Sequence, residues 1–282
     1  MMQNYDVHAF IQHALNEDVG DGDHTTLSTI PANAKGSAHL LVKDKGILSG
    51  LEIAREVFTL VDAQLEFEQL LKDGDRIQHG DIAFRLHGSS RSITIGERLA
   101  LNIMQRMSGI ATKTAAIQDM IAHTSCKLLD TRKTTPGFRY FEKLAVTHGG
   151  GVNHRFGLYD MILVKDNHVD YCGGVKPALD NVKKYLSDTG RSLQVEVEAR
   201  NLQEIQEILD ANIAFRILLD NFAPADLAEA VQLINGRVLT EASGGINASN
   251  IVAYAEAGVD FISMGALTHQ IASLDMSLKA IK

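Results

Sequence analysis

"LQVEVEARNLQEIQEILDANIAFRILLD", residues 193–220, holds two apolar runs around one helical pattern. "VEVE" and "RILL" are rich in branched aliphatic residues, as strands are. "NLQEIQEILDAN" repeats its apolar residues three and four apart, the spacing of one helix face. A strand, a helix and a strand in so short a span form a βα unit, which feeds a parallel sheet.

The pattern extends in both directions. Strand candidates are "KLLD" ending at Asp130, "MILVK" at Lys165, "LQVEVE" at Glu198, "RILLD" at Asp220, "RVLTEAS" at Ser243 and "DFISMG" at Gly265. Helical patterns such as "VKPALDNVKKYLSDTG", "APADLAEAVQLING" and "NASNIVAYAEAG" separate them, with glycines placed to end the helices. Polar residues fall at the strand ends: Arg132 and Lys133 after the first, then Lys165, Glu198 and Asp220, then "SGG" (Ser243–Gly245) and "MGA" (Met264–Ala266). In a (β/α) barrel the C-terminal strand ends form the active-site face, so this regularity selects a barrel over an open, doubly wound sheet.

The first 125 residues read differently. "KGSAHLLVKDKGILSG" and "LKDGDRIQHGDIAFRLHG" are β-like, with Gly and Asp turns and no helical crossover. The second resembles the hairpins of biotinyl and lipoyl carrier domains but lacks a convincing tip lysine, so it is read as a structural, hammerhead-like fold. Ile95, Leu99, Ile103, Met107, Ile110, Thr114, Ile117 and Ile121 then mark one long amphipathic helix, or two broken near Gly109. We divide the chain into an α+β domain over residues 1–112 and a barrel over 113–282, whose last helix packs back on the N-terminal domain.

Composition narrows the function. A formal charge of −8 over 282 residues excludes the broad basic surface of a general nucleic-acid binder. Cys126 and Cys172 form neither a CxxC pair nor a disulfide framework, and no apolar stretch suits a signal peptide or a membrane span. A cytoplasmic protein without a membrane partner is expected.

Against this acidic background, residues 131–168 carry six Arg and Lys against three acids. Guanidinium groups donate paired hydrogen bonds to carboxylates and phosphates, so Arg132, Lys133, Arg155 and Lys165 are candidates for holding an anion. Arg139 and Lys143, at helical spacing beside Glu142, read as surface residues. Gly149–Gly151 let backbone approach a ligand or simply form a flexible loop. "SGG" before a helix beginning at Asn247 suits a phosphate, with "MGA" completing the cradle. Glu198 and Asp220 end apolar strands, where an unpaired carboxylate is costly; they fit an ion pair with Lys165, a Mg²⁺ site or a clamp on sugar hydroxyls. Glu196, on the same face and deeper, is an alternative partner for the lysine.

"EDVGDGDHTT", "GERLALNIMQRMSGIAT", "DTRKTTPGFRYFEKLAV", "GGGVNHRFGLYDMILVKDNH", "VEVE", "LLDNF" and "EASGGI" occur in this order along nearly the whole chain. Together they resemble the quinolinate phosphoribosyltransferases, the decarboxylating nicotinate-nucleotide pyrophosphorylases of NAD biosynthesis. The resemblance implies an incomplete barrel of about seven strands, quinolinate and phosphoribosyl pyrophosphate (PRPP) as substrates, and Mg²⁺. It also implies a homodimer whose N-terminal domains cover the partner's barrel, with a hexamer as the further assembly open to it. Carried over by motif, Arg132, His154 and Arg155 hold the quinolinate carboxylates beside Thr131, joined by Arg98 from the partner subunit. Lys133 and Lys165 neutralise pyrophosphate, and Glu198 and Asp220 take the ribose hydroxyls and Mg²⁺. Ser243, Gly244, Gly245, Met264, Gly265 and Ala266 hold the 5′-phosphate. The alternatives are a related transferase of the ModD type or for another base, a Schiff-base aldolase using Lys165, and a non-catalytic carrier. No role is assigned to His148.

Overall fold

The computed structural model describes residues 5–281. Chain order and compactness do not coincide. One compact unit comprises residues up to 115 with 135–150 and the segment from 267 onward; the other comprises 116–134 and 151–266.

The first unit begins with α1 (Val7–Val19) and α2 (His24–Thr29), whose first turns are capped by the Asp6 and Asp23 carboxylates at 2.9 Å. Then come β1 (Lys35–Val42), β2 (Gly46–Ile47), α3 (Leu51–Val61), β3 (Glu66–Gln69), β4 (Arg76–Ile77) and β5 (Ile82–Ser89). β2 pairs with β4. The main sheet is antiparallel and alternates in burial, so Ala38, Leu40 and Val42 of β1 point into an apolar core with Phe58, Phe84 and Leu86. Among the described residues no helix closes the chain. The last element is β12 (Met276–Ile281), which pairs antiparallel with β1 to give the order β12-β1-β5-β3. Met276 and Leu278 are buried while Lys279 is exposed, a period of two that a helix cannot use, and the free edge of β1 satisfies the strand's backbone.

α4 (Ser90–Met120) is one continuous helix of 31 residues. Gly109 does not break it: a Cβ there would overlap the Ala272 carbonyl, so the glycine admits a close chain approach. α5 (Arg139–His148) corrects the surface reading of Lys143, for Glu142 and Lys143 are both fully buried. Glu142 accepts from Arg106 Nε at 3.0 Å, Arg106 Nη2 at 2.6 Å and the Thr135 N–H at 3.1 Å. Helical spacing identified the polar stripe, but only packing on both sides decided that it lies inside. His148 also acquires a role: its Nδ1 meets the Ser49 hydroxyl at 2.8 Å, and Ser49 in turn donates its N–H to Ser108 Oγ at 2.9 Å. Burial pushes this imidazole below its ordinary pKa, with Asp73 opposing.

The second unit carries the βα units. β6 (Lys127–Leu129) follows the end of α4, whose Gln118 side chain accepts the Leu128 N–H at 3.0 Å. Next are β7 (Ile162–Val164), α6 (Asp166–Cys172), α7 (Val175–Thr189), β8 (Val195–Ala199), α8 (Leu202–Ala211), β9 (Arg216–Asp220), α9 (Pro224–Ile234), β10 (Leu239–Ser243), α10 (Ile251–Glu256) and β11 (Phe261–Ser263). α11 (Ala266–His269) continues into the final segment. The six strands form one parallel sheet ordered β6-β11-β10-β9-β8-β7. The seventh strand implied by resemblance is reduced to a single parallel bridge, Leu129 to Val152, because the glycines before it offer no side chains to pack on a pleat. Among the described residues no helix is long and apolar enough to cross a membrane.

The sheet is rolled into an incomplete barrel. Val152 lies beyond the free edge of β6, five strand spacings from β8, which in a flat sheet is roughly 24 Å. Yet His154 Nε2, two residues on, is 2.8 Å from Glu196 on β8. Only a sheet curled on itself brings them together.

Candidate active site

Asp130, directly after β6, is fully buried and holds the returning loop. It accepts the His154 N–H at 2.9 Å and the Asn153 side-chain amide at 2.5 Å. The next turn is closed by Asp160, which accepts the Phe156 and Gly157 N–H groups at 2.6 and 2.9 Å. Arg155 is thereby fixed between two carboxylate-pinned turns, its guanidinium donating to the Met161 carbonyl at 3.3 Å. On the other side of the mouth the Thr131 hydroxyl accepts the Lys133 N–H at 3.0 Å. Lys165 caps α6, where its own N–H donates to His168 Nδ1 at 2.9 Å.

These residues meet around a cavity of about 340 Å³ lined by Thr131, Arg132, Lys133, His154, Arg155 and Lys165, with Leu163, Leu218, Glu241, Ser243 and Ser263. Burial, and then the neighbouring Arg132, lower the Arg155 guanidinium from its ordinary pKa. Like charges crowded in a partly dry pocket are stabilised by an anion. A larger groove of about 610 Å³ lies along β7 and α7, but its walls are mostly aliphatic and aromatic, from Leu158 and Tyr159 to Val182 and Tyr185. Its arginines, Arg155 and Arg191, are joined there by neither Arg132 nor the two lysines that line the smaller cavity.

Other expected residues lie around this mouth rather than lining the cavity. Glu198 is buried at the end of β8, 3.9 Å from Lys165, and Asp220 pairs in register with Ser243. Burial first, and the Asp220 charge second, raise the Glu198 carboxyl. Two acids that repel one another at neighbouring strand ends form an oxygen donor set that a hard cation relieves. Gly244 and Gly245 both adopt left-handed backbone, and a Cβ on Gly244 would overlap the Asn221 side chain. α10 begins at Ile251 rather than Asn247; the residues between form Asn-capped turns. Met264 is buried, its N–H donating to the Leu129 carbonyl at 3.0 Å, and leads into Gly265 and Ala266. Arg98 is exposed on α4, in the other unit.

Beneath the cavity lies a charged cluster that the motifs did not foretell. Arg216, at the start of β9, donates from Nε to Glu196 at 2.7 Å and from Nη2 at 3.1 Å. Glu196 is therefore the partner of Arg216 and His154, and Lys165 is left to Glu198. Burial alone would raise the Glu196 carboxyl, but hydrogen bonding and charge from His154 and Arg216 hold it down to about 2. Glu241 on β10 is fully buried, 3.2 Å from Arg216 Nε and 3.4 Å from His154 Nε2. Burial, followed by the Glu196 charge, raises its carboxyl well above the ordinary range. His154, Glu196 and Glu241 have the spacing of a metal site, but the Arg216 guanidinium already supplies the cation there. Arg216 and Glu241 were discoverable from period-two spacing: Arg216 shares a strand face with Leu218 and Asp220, and Glu241 with Ser243.

Comparison with known proteins agrees with this architecture. Residues 110–279 match the quinolinate phosphoribosyl transferase C-terminal domain and residues 23–108 the corresponding N-terminal domain. A Nicotiana tabacum protein, quinolinate phosphoribosyltransferase [decarboxylating] 1b, is 44% identical over 98% of this chain and 82% of its own length. The probable nicotinate-nucleotide pyrophosphorylase [carboxylating] of Bacillus subtilis is 39% identical over 98% of this chain and 94% of its own. The crystal structure of NadC from Streptococcus pyogenes superposes with a TM-score of 0.92 at 38% identity, covering 98% of this chain and 97% of that one. With both domain families matched in order and relatives this similar over nearly the full length, the chain belongs to the quinolinate phosphoribosyltransferase family.

Proposed function

We propose that the chain transfers the phosphoribosyl group of PRPP to quinolinate with loss of CO₂, giving nicotinate mononucleotide and pyrophosphate in NAD biosynthesis. The observation that carries the reading is the cavity itself: an acidic chain has gathered Arg132, Lys133, Arg155 and Lys165 around one pocket. Quinolinate is a dianion, and Arg132 and Arg155 can each donate paired hydrogen bonds to a carboxylate. Lys133 and Lys165 stand beside them to neutralise pyrophosphate as it leaves.

Ser243 and the loop N–H groups of Gly244, Gly245, Gly265 and Ala266 suit the 5′-phosphate, with Met264 fixing that strand end. α10, at six residues, contributes little dipole, so the loop amides and the Ser243 hydroxyl carry the binding. Glu198 and Asp220 would hold Mg²⁺ and the ribose hydroxyls; bound there, the ion supplies positive charge to the leaving pyrophosphate. Their acidity also tolerates the positive charge that develops on the ribosyl carbon. Lys165 is half-exposed and next to Glu198, unlike the desolvated lysine of a Schiff-base aldolase.

The site is completed by Arg98 of a second subunit in a homodimer. The two free cysteines fit the cytoplasm, although named plant relatives include chloroplastic and mitochondrial forms. Purified protein with Mg²⁺, quinolinate and PRPP is expected to yield CO₂ and nicotinate mononucleotide; turnover of nicotinate but not quinolinate would reject the substrate. Arg98→Ala and Arg155→Ala are each expected to be inactive, and mixed subunits to regain activity. Absence of that complementation rejects the shared site.

A further inference from the structure

Loss of CO₂ leaves an electron pair on ring carbon 2, and the product needs a proton there. The cations of the cavity mouth are suited to anions, so the donor must be sought in its floor. Four charged or titratable side chains face one another there: His154 from the returning loop, Glu196 on β8, Arg216 on β9 and Glu241 on β10, with Ser263 of β11 lining the same cavity as Glu241.

Their hydrogen bonds assign the protons. His154 Nδ1 accepts the Arg155 N–H at 2.7 Å, so its ring hydrogen is on Nε2, directed at Glu196 at 2.8 Å. Arg216 donates twice to Glu196 and thereby neutralises it. Glu241 remains with an imidazole whose Nε2 is directed at Glu196 and a guanidinium that is already matched. Both its oxygens are shut off from solvent and find no hydrogen bond of ordinary geometry. A carboxylate left in that state is costly, whereas a carboxylic acid is not. Ser263 follows Phe261, the register partner of Glu241, by two residues, so it sits one pleat nearer the mouth, and both residues border the cavity.

We propose that Glu241 is the proton source for the decarboxylation half of the reaction, delivering its proton through the Ser263 hydroxyl to ring carbon 2. The C2–carboxylate bond breaks, CO₂ departs, and the bonding pair stays on C2 beside the ribosylated, positively charged nitrogen. Ser263 gives its hydroxyl hydrogen to C2 and takes the Glu241 hydrogen in return. Glu241 becomes a carboxylate facing Arg216 and His154, and water reprotonates it after product leaves. Without the donor, the carbanion recaptures CO₂. The assignment rests on quinolinate occupying the arginine-lined cavity.

Single-turnover measurements of pyrophosphate and CO₂ on the same enzyme test it. In Glu241→Gln, which keeps the shape but has no acidic proton, pyrophosphate release is expected to stay within a few-fold of wild type. CO₂ release should fall on the order of 100-fold, with N-ribosylated quinolinate accumulating. Glu241→Asp should recover part of the CO₂ rate. Equal losses in both products, or no loss in either, would overturn the proposal. If the variants do not fold, the wild-type enzyme decides: in mixed H₂O and D₂O, the H/D ratio at C2 should differ from that of nonenzymatic decarboxylation of N-methylquinolinate. An identical ratio rejects an enzyme-held proton. Arg155→Lys separates the premise from the proposal: an unchanged KM for quinolinate removes the ring from this cavity, whereas a raised KM with balanced products in Glu241→Gln sinks Glu241 alone.

Discussion

The interior of the antiparallel sheet and the interior of the barrel are built from opposite materials. Behind β1 and β5 lie Ala38, Leu40, Val42, Phe84 and Leu86, with the Phe67 and Phe84 rings stacked 4.5 Å apart. Each large side chain buried there contributes about 1.5–3 kcal/mol through removal of apolar surface from water. At the matching depth of the barrel stand Glu196, Arg216 and Glu241, where desolvation offsets much of the Coulomb attraction. A core that only had to fold would fill those positions with aliphatic side chains, as barrels generally do. The contrast marks one region as shaped for stability and the other as shaped for chemistry, at some cost in stability.

The largest expected effect that tests this contrast comes from Arg216→Met. It leaves two buried carboxyls without their cation and should destabilise the barrel by about 3–5 kcal/mol near neutral pH. Phe84→Ala should cost a similar 3–5 kcal/mol through a cavity. The two losses differ in pH dependence. Glu196 has its carboxyl held down in the fold, so its stabilisation is present above the unfolded carboxylate pKa of about 4.3 and is lost as pH falls toward 2. The Arg216→Met deficit should therefore shrink in that window in denaturant titrations, while the Phe84→Ala deficit stays constant. Equal behaviour would break the comparison.

A smaller effect sharpens it. The Glu241 carboxyl is raised, so its contribution is full below the unfolded value and is lost as pH rises through the folded one. Glu241→Gln should match wild type in denaturation midpoint near pH 4 and exceed it at pH 9. The smallest effect belongs to the first unit. His148 is lowered by burial, so stability from its neutral form is present above about pH 6.5 and lost as pH falls below it. One proton limits that slope to about 1.4 kcal/mol per pH unit, and His148→Gln should remove it.

Much of the barrel was legible because its signals are local. Period-two alternation, the helical stripes and the polar strand ends each need only a few consecutive residues, and all six strands lie where they were expected. Thr131, Arg132, Lys133, His154, Arg155, Lys165 and Ser243 converge as the motif order implied. The closing strand β12 was not among the strand candidates, because its short run reveals its period only once β1 offers an edge. Lys143 was placed on the surface because one helical stripe cannot report what packs against the opposite face.

The sequence by itself determined which residues bear charge, which segments of the barrel are strands, and that the cations gather between residues 131 and 168. Those properties depend on covalent order and side-chain chemistry. Tertiary structure alone decided which charges meet. The curl of the sheet carries His154 across five strand spacings onto Glu196, and parallel register sets Arg216 and Glu241 beside them. A contact across a closed barrel depends on strand order and curvature, which no single stretch of chain contains.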